Sequence, residues 1–132
     1  MAKTVLVIDD EPEIRGLLEL ALRVDGYEVE TACDGREALV ILEDVPVDAV
    51  ITDLYMPDLD GFELCLALRR DGRFDNLPII VFTAFLYEDP VMELRHLRGV
   101  TILAKGSPLQ ELRDTVATAV EAPRPQTLSV RL

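Results

Sequence analysis

The chain has 132 residues, of which 49% are hydrophobic, and a formal net charge of -12 at pH 7. This length suits one compact domain with a sizeable core and leaves little room for a second. The acidic balance opposes direct binding to nucleic acid, which requires a basic surface. No apolar run reaches the roughly 18 residues of a membrane-spanning helix, and the first strand-like segment follows Lys3 too closely for a signal peptide. We therefore expect a cytoplasmic protein without membrane contact.

Aliphatic runs alternate with segments of helical periodicity five times along the chain. In chain order, the pattern predicts strands over residues 5–8, 27–32, 47–52, 79–82 and 101–104, separated and followed by helices over residues 12–25, 38–45, 62–70, 90–97 and 108–121. Such alternation predicts an α/β domain with a parallel sheet and helices on both faces. We assign residues 1–121 to this domain and residues 122–132 to a C-terminal tail or linker.

Turn and capping residues mark several of these boundaries. Pro12 suits the first turn of a helix, Gly26 ends that helix, and Asp34 is placed to cap the second one. Ser107 and Gln110 have the spacing of a capping box before the last helix.

The two cysteines, Cys33 and Cys65, lack the spacing of metal ligands and fall within the predicted elements. We expect both to be buried free thiols, as in a reducing cytoplasm, rather than bridging or catalytic groups.

Four of the five predicted strands end in residues suited to phosphoryl chemistry. These are Asp9 and Asp10, Asp53, Thr83, and Lys105. Ligands of open parallel sheets bind outside the carboxyl ends of the strands, so these side chains should meet at one edge.

Three carboxylates at one edge would repel each other, and a hard cation such as Mg2+ relieves that repulsion. A carboxylate can also act as a nucleophile and form an aspartyl phosphate. Lys105 could pair with a phosphoryl oxygen, and the Thr83 hydroxyl could donate a hydrogen bond to another.

Each of these residues also has an ordinary structural explanation. The Asp9–Asp10 pair could cap a helix, Asp53 could be part of a turn, Thr83 could end a strand, and Lys105 could be a solvated surface lysine. Their occurrence together at equivalent strand ends favours the functional interpretation.

The same residues resemble the receiver domain of two-component response regulators, particularly the single-domain chemotaxis type. The resemblance rests on the segments VLVIDDEP at 5–12 and DLYMPDLDG at 53–61, on Thr83 with Ala84, and on Lys105. These motifs keep the family's order and spacing, and the similarity covers roughly residues 3–121.

The resemblance implies a flavodoxin-like, doubly wound five-stranded sheet with strand order 2-1-3-4-5. It implies phosphorylation of Asp53 by a histidine kinase or a histidine phosphotransfer protein. Asp10, Asp53 and the backbone carbonyl of Tyr55 would bind Mg2+ directly, and Asp9 would act partly through water. Thr83 would close onto the phosphoryl group and Lys105 would hold it, so the protein would catalyse only its own phosphorylation and dephosphorylation.

The resemblance also implies the partners. The first helix is the family's usual docking surface for the phosphohistidine protein. The face formed by helix 4, strand 5 and helix 5 usually carries output to a downstream effector, and a homodimer through that face is left open.

Three positions depart from the family pattern. Ile102 stands where the family usually has Tyr or Phe, which affects the usual switch with Thr83, and Pro108 lies further from Lys105 than in the family. Tyr55 and Phe85 are both aromatic at positions that influence the access of water in the family, so we expect slow hydrolysis of the acyl phosphate.

Three other interpretations remain. The chain could be a pseudo-receiver that acts without phosphorylation, or the receiver of a longer DNA-binding regulator. It could also be a small enzyme with an aspartyl-phosphate intermediate, but no segment is long enough to form the substrate-enclosing cap that such an enzyme needs.

Overall fold

The structure is a computed structural model that describes residues 2–121, so the predicted tail over 122–132 lies outside the described residues. Five strands alternate with five helices, in the order β1 (Thr4–Ile8), α1 (Pro12–Val24), β2 (Glu28–Ala32), α2 (Gly35–Asp44), β3 (Ala49–Thr52), α3 (Gly61–Arg70), β4 (Ile79–Thr83), α4 (Asp89–Leu94), β5 (Val100–Ala104) and α5 (Leu109–Glu121). Within residues 2–121, no helix has the length and apolar character needed to cross a membrane.

The strands form one parallel sheet in the order β2-β1-β3-β4-β5. This confirms the predicted fold class and strand order. Successive strand residues point to opposite faces, and both faces are covered, which explains the uninterrupted aliphatic runs. Leu6 and Ile8 pack with α2, α3 and α4 in one hydrophobic cluster, whereas Val5 and Val7 pack with α1 and α5 in the other.

Most element boundaries lie within a few residues of their predicted positions. The fourth helix is shorter than predicted, because the α-helical hydrogen-bond pattern is not continued after Leu94. The amides of His96 and Leu97 donate to carbonyls three residues earlier instead of four. The third helix begins one residue early, at Gly61, where Asp60 and Glu63 form a capping box that the sequence analysis missed.

The capping box predicted before α5 is wrong. The amide of Ser107 donates to the Ala104 carbonyl, and the Gln110 side chain donates to Asp114 instead of turning back to Ser107. The predicted cap of α2 is confirmed, since Asp34 accepts a hydrogen bond from the amide of Glu37.

The prediction for the cysteines is confirmed at one position and wrong at the other. Cys65 lies buried in α3 as a free thiol, and burial raises its pKa to about 12. Cys33 is free but exposed, because it lies in the loop between β2 and α2, where its amide donates to Glu37.

An ion pair joins the first helix to the last. The Arg113 guanidinium donates to both oxygens of Asp25, the residue that ends α1, at 2.9 Å and 2.5 Å. The hydrogen bonds from Arg113 hold the pKa of the Asp25 carboxyl below its ordinary value of 3.8. This bidentate contact links two helices that lie on the same face of the sheet.

The pair predicts a pH-dependent contribution to stability. Because folding lowers the pKa of Asp25, the contribution is present above the ordinary carboxyl pKa and is lost as the pH falls through the folded-state value. Asp25→Asn should therefore lower the free energy of unfolding at pH 7, and its difference from the wild type should shrink as the pH drops below about 4. Urea unfolding at several pH values measures this difference.

An Arg113→Leu background provides the control. There the Asp25→Asn substitution should have no comparable pH-dependent effect, because the partner of the carboxylate is absent. The same pH dependence in both backgrounds would contradict a role for the pair.

Candidate functional site

The carboxyl ends of the strands converge on one edge of the sheet. Backbone hydrogen bonds continue one residue beyond the strands, from Asp9 to the Ala32 carbonyl at 3.1 Å and from Asp53 to the Ile8 carbonyl at 3.0 Å. The amide of Lys105 donates to the Thr83 carbonyl at 2.9 Å. These bonds place the residues that follow β1, β3 and β5 in fixed positions beside one another.

Lys105 lies at the centre of the site. Its ammonium nitrogen is 3.0 Å from Asp9 Oδ2 and 3.2 Å from Asp53 Oδ2. Glu11, which the sequence analysis did not single out, contributes a third carboxylate oxygen at 3.5 Å. Only its position directly after Asp9 and Asp10 could have signalled that it belongs to the site.

Asp9, Asp10 and Asp53 each offer a carboxylate oxygen, and these oxygens all lie within 4.8 Å of one another. Asp9 and Asp53 are buried, whereas Asp10 is exposed. The ammonium group of Lys105 contacts three carboxylates, those of Asp9, Glu11 and Asp53, and Asp10 adds a fourth negative charge to the cluster. A closely spaced set of hard oxygen donors with excess negative charge fits Mg2+, which binds a few carboxylates and keeps several of its waters.

Burial and neighbouring charges act against each other on Asp53. Burial raises the pKa of its carboxyl, the Lys105 ammonium lowers it, and the Asp9 charge raises it again, so that the pKa lies above its ordinary value. Burial lowers the pKa of Lys105, but the carboxylates of Asp9 and Asp53 outweigh this effect and raise it. Each charged group here therefore depends on its neighbours for compensation.

The backbone around Asp53 is closely held. Asp53 Oδ1 accepts a hydrogen bond from the Leu54 amide at 2.7 Å, and the hydroxyl of Thr52 donates to the Asp53 carbonyl at 2.8 Å. The amide of Gly61, which begins α3, donates to the Leu54 carbonyl at 2.8 Å. A Cβ at Gly61 would lie 2.1 Å from the Asp53 carbonyl oxygen, so only glycine allows α3 to begin this close to the backbone of Asp53.

Thr83 is completely buried at the end of β4. Its hydroxyl oxygen accepts a hydrogen bond from the Phe85 amide at 3.1 Å, which ties the loop after β4 to this side chain. Ile102, the other predicted switch residue, is in register with Val81 and packs partly buried against the hydrophobic cluster of α2, α3 and α4.

Two aromatic side chains meet across the loops after β3 and β4. The rings of Tyr55 and Phe85 pack edge to face, with centroids 5.1 Å apart and planes at 69°. The Tyr55 hydroxyl donates a hydrogen bond to the Glu88 carboxylate, and this bond raises the pKa of Tyr55. Glu88 was not predicted from the sequence, because its sequence neighbours give no sign of a partner 33 residues away.

The chain matches the model of the response regulator receiver domain family over residues 5–117. The response regulator MprA of Mycolicibacterium vanbaalenii is 48% identical over 84 residues, which make up 64% of this chain and 36% of that protein. The chain spans about a third of the length of the curated relatives it matches.

Two solved structures illustrate the structural similarity. The chemotaxis response regulator CheY4 of Vibrio cholerae has a TM-score of 0.82 at 32% identity, covering 90% of this chain and 99% of that one. The response regulator TrrA of Thermotoga maritima, solved in complex with Mg2+-BeF, has a TM-score of 0.78 at 32% identity, covering 89% and 98% of the two chains.

The close contact at Gly61 predicts that alanine destabilises the protein at this position but not at Gly16. Gly61→Ala should lower the free energy of unfolding by about 1–3 kcal/mol, because the new methyl group must displace the backbone that carries Asp53. Gly16→Ala is the matched control, since Gly16 lies inside α1 with no neighbour within 4 Å. It should raise stability by about 0.5–1 kcal/mol. Urea unfolding of both variants tests this, and equal effects would contradict the packing argument.

Proposed function

The chain belongs to the response regulator receiver domain family of two-component systems, and we propose on that basis that Asp53 accepts a phosphoryl group from a phosphohistidine. The donor is a histidine kinase or a histidine phosphotransfer protein. The observation that carries the proposal is the position of the Lys105 ammonium, 3.2 Å from Asp53 and 3.0 Å from Asp9. A cation in this place holds the acceptor carboxylate and can pair with an oxygen of the incoming group.

In the proposed transfer, a carboxylate oxygen of Asp53 attacks the phosphorus atom of the phosphohistidine. A P–O bond to Asp53 forms while the P–N bond breaks, and the electron pair of the broken bond remains on the imidazole nitrogen. Hydrolysis of the resulting acyl phosphate returns the carboxylate and releases inorganic phosphate. The protein then catalyses only its own phosphorylation and dephosphorylation.

Asp9, Asp10 and Asp53, with the backbone carbonyl of Tyr55, are the groups that we propose to hold Mg2+. The close spacing of the three carboxylates supports this assignment, as does the Mg2+-BeF complex of the Thermotoga relative. When bound, Mg2+ supplies positive charge that offsets the negative charge of the phosphoryl group.

Lys105 and Thr83 have separate proposed roles. Lys105 exchanges part of its contact with Asp53 for an oxygen of the bound phosphoryl group, and the buried hydroxyl of Thr83 donates a hydrogen bond to another. Because the Thr83 oxygen also accepts from the Phe85 amide, a shift of Thr83 moves the loop that leads to α4.

The proposed output is a change in the protein surfaces that the domain presents to other proteins. Phosphorylation shifts the population of two conformations, and an effector that binds one of them more tightly reads the signal. We propose α1 as the docking surface for the phosphohistidine protein and the face of α4, β5 and α5 as the output surface, which could also carry a homodimer.

The length of the relatives supports a second proposal, in which this receiver controls the output part of a longer regulator. The match covers only 36% of the Mycolicibacterium protein. The chemistry proposed at Asp53 is the same in either arrangement.

The acceptor assignment predicts a mass change. Incubation with acetyl phosphate and Mg2+ should add one phosphoryl group, detected by intact-mass spectrometry. The adduct should be absent in Asp53→Asn and without Mg2+, because both the acceptor and the charge compensation are required. A folded wild-type protein without an adduct in any condition would instead indicate a pseudo-receiver that acts without phosphorylation.

The aromatic pair predicts a long-lived adduct. Tyr55 lies in the loop after β3 that carries Asp53, which we call the acceptor loop, and its ring packs against Phe85. Water should therefore reach the acyl phosphate slowly, and the adduct should persist well beyond seconds. Intact mass followed over time after removal of acetyl phosphate measures the decay, which Tyr55→Ala should accelerate. A half-life of seconds in the wild type would contradict this expectation.

A further inference from the structure

We propose that Glu88 is a positioning residue that couples the acceptor loop to helix α4 through the hydroxyl of Tyr55. This inference rests on the proposed phosphorylation of Asp53 and names the route by which the change reaches an output element. The proposed role of Glu88 depends on its contact with Tyr55 rather than on contact with the phosphoryl group.

The contact joins two segments that are far apart in the chain. Tyr55 lies two residues after Asp53, in the loop that leaves β3, and Glu88 immediately precedes Asp89, the first residue of α4. The Tyr55 hydroxyl donates to the Glu88 carboxylate. A displacement of the acceptor loop is therefore applied directly to the start of α4.

The Glu88 side chain contacts Tyr55 instead of capping its own helix. It occupies the N-cap position of α4, yet its side chain makes no capping hydrogen bond to its own helix. A carboxylate at a helix N-terminus ordinarily stabilises the free amide groups there. Its use as the acceptor of the Tyr55 hydroxyl makes the start of α4 dependent on the position of the neighbouring loop.

The loop after β4 converges on the same place. The amide of Phe85 donates to the hydroxyl oxygen of Thr83, and the Phe85 ring packs against Tyr55. A movement of Thr83 and a movement of the Asp53 loop therefore act on one cluster, which consists of Tyr55, Phe85 and Glu88. We call these three residues the aromatic latch.

Strand β5 is less suited than these three residues to transmit a change at Thr83 to other parts of the domain. Ile102 has no polar atom and no ring in its side chain, and it packs against the aliphatic cluster. It can respond to a change at Thr83 only through packing. The latch contains a directional hydrogen bond, which either forms or is lost when its two segments shift.

The size of α4 makes it responsive to the latch. The helix has six residues, and only Val91 and Leu94 are buried. With so few anchoring side chains, the contact before its first turn is a substantial part of what fixes its position.

Methionine methyl groups report on both ends of this route in the full chain. Met56 is buried in the acceptor loop, whereas Met92 is exposed on α4. The experiment records carbon-13 methyl NMR spectra of the methionine-labelled protein before and after addition of Mg2+ and beryllofluoride, a stable substitute for the phosphoryl group. The variants are Glu88→Ala, Glu88→Gln and Tyr55→Phe.

Glu93→Ala is the matched control, because it removes an exposed carboxylate from the same helix. In the wild type, both methyl signals should shift on addition of beryllofluoride. In Glu88→Ala the Met56 shift should persist while the Met92 shift falls to less than half, and Tyr55→Phe should reduce the Met92 shift equally. Glu88→Gln should retain most of it, since the amide oxygen can accept the same hydrogen bond, and Glu93→Ala should retain all of it.

The two methyl signals distinguish failure of the Glu88 coupling from failure of the proposed phosphorylation of Asp53. If the Met92 shift is the same in Glu88→Ala and Tyr55→Phe as in the wild type, the coupling role of Glu88 is overturned and the acceptor assignment stands. If Met56 responds in the wild type but Met92 does not, the coupling is likewise overturned. If neither methyl group responds in the wild type, the proposed function fails and the coupling fails with it.

Discussion

The ammonium group of Lys105, held between two buried carboxylates, is the interaction on which the candidate site depends. Asp9 and Asp53 are removed from water, and a buried carboxylate is costly unless a cation or hydrogen-bond donors compensate it. Lys105 provides that compensation at 3.0 Å and 3.2 Å. Its single charge cannot balance the surrounding carboxylates, so the site remains negative and suited to a further cation.

The parallel sheet is what makes this arrangement available. Strands β1, β3 and β5 all end at the same edge, and the hydrogen bonds that extend beyond them fix the residues that follow. Helices on both faces bury β3 and β4 completely and β1 from Val5 onward, so the ends of these central strands are held by the core. Asp9, Asp53 and Lys105 therefore lie at the start of loops that are anchored to the strand ends.

Side-chain and backbone contacts also hold the loops at both ends of the sheet. Gly61 lets α3 begin in contact with the backbone of Asp53, and the aromatic latch joins the same loop to the start of α4. On the far side, the guanidinium of Arg69 donates to the carbonyls of Phe74, Leu77 and Arg98 and so holds the entries to β4 and β5 together. The edge that carries Asp53 therefore contacts the starts of both α3 and α4.

Much of the fold could be predicted from local patterns. Continuous aliphatic runs such as residues 5–8 indicate strands buried on both faces, and alternation with helical periodicity indicates parallel connections. Element ends were predicted less well, because they depend on competing hydrogen bonds. The Gln110 side chain, for example, bonds to Asp114 within α5 rather than to Ser107. Cys33 is exposed because β2 ends at the buried Ala32, and Cys33 already lies in the loop that follows.

The sequence by itself determined which strand ends carry Asp9, Asp10, Asp53, Thr83 and Lys105, because residue type and hydrophobic pattern are local properties. Only the tertiary structure decided that Lys105 bridges two of those carboxylates, that Glu11 joins them, and that Glu88 accepts the hydroxyl of Tyr55. These contacts join residues far apart in the chain, and their distances follow from the packing of the whole sheet and its helices. No local pattern contains that information.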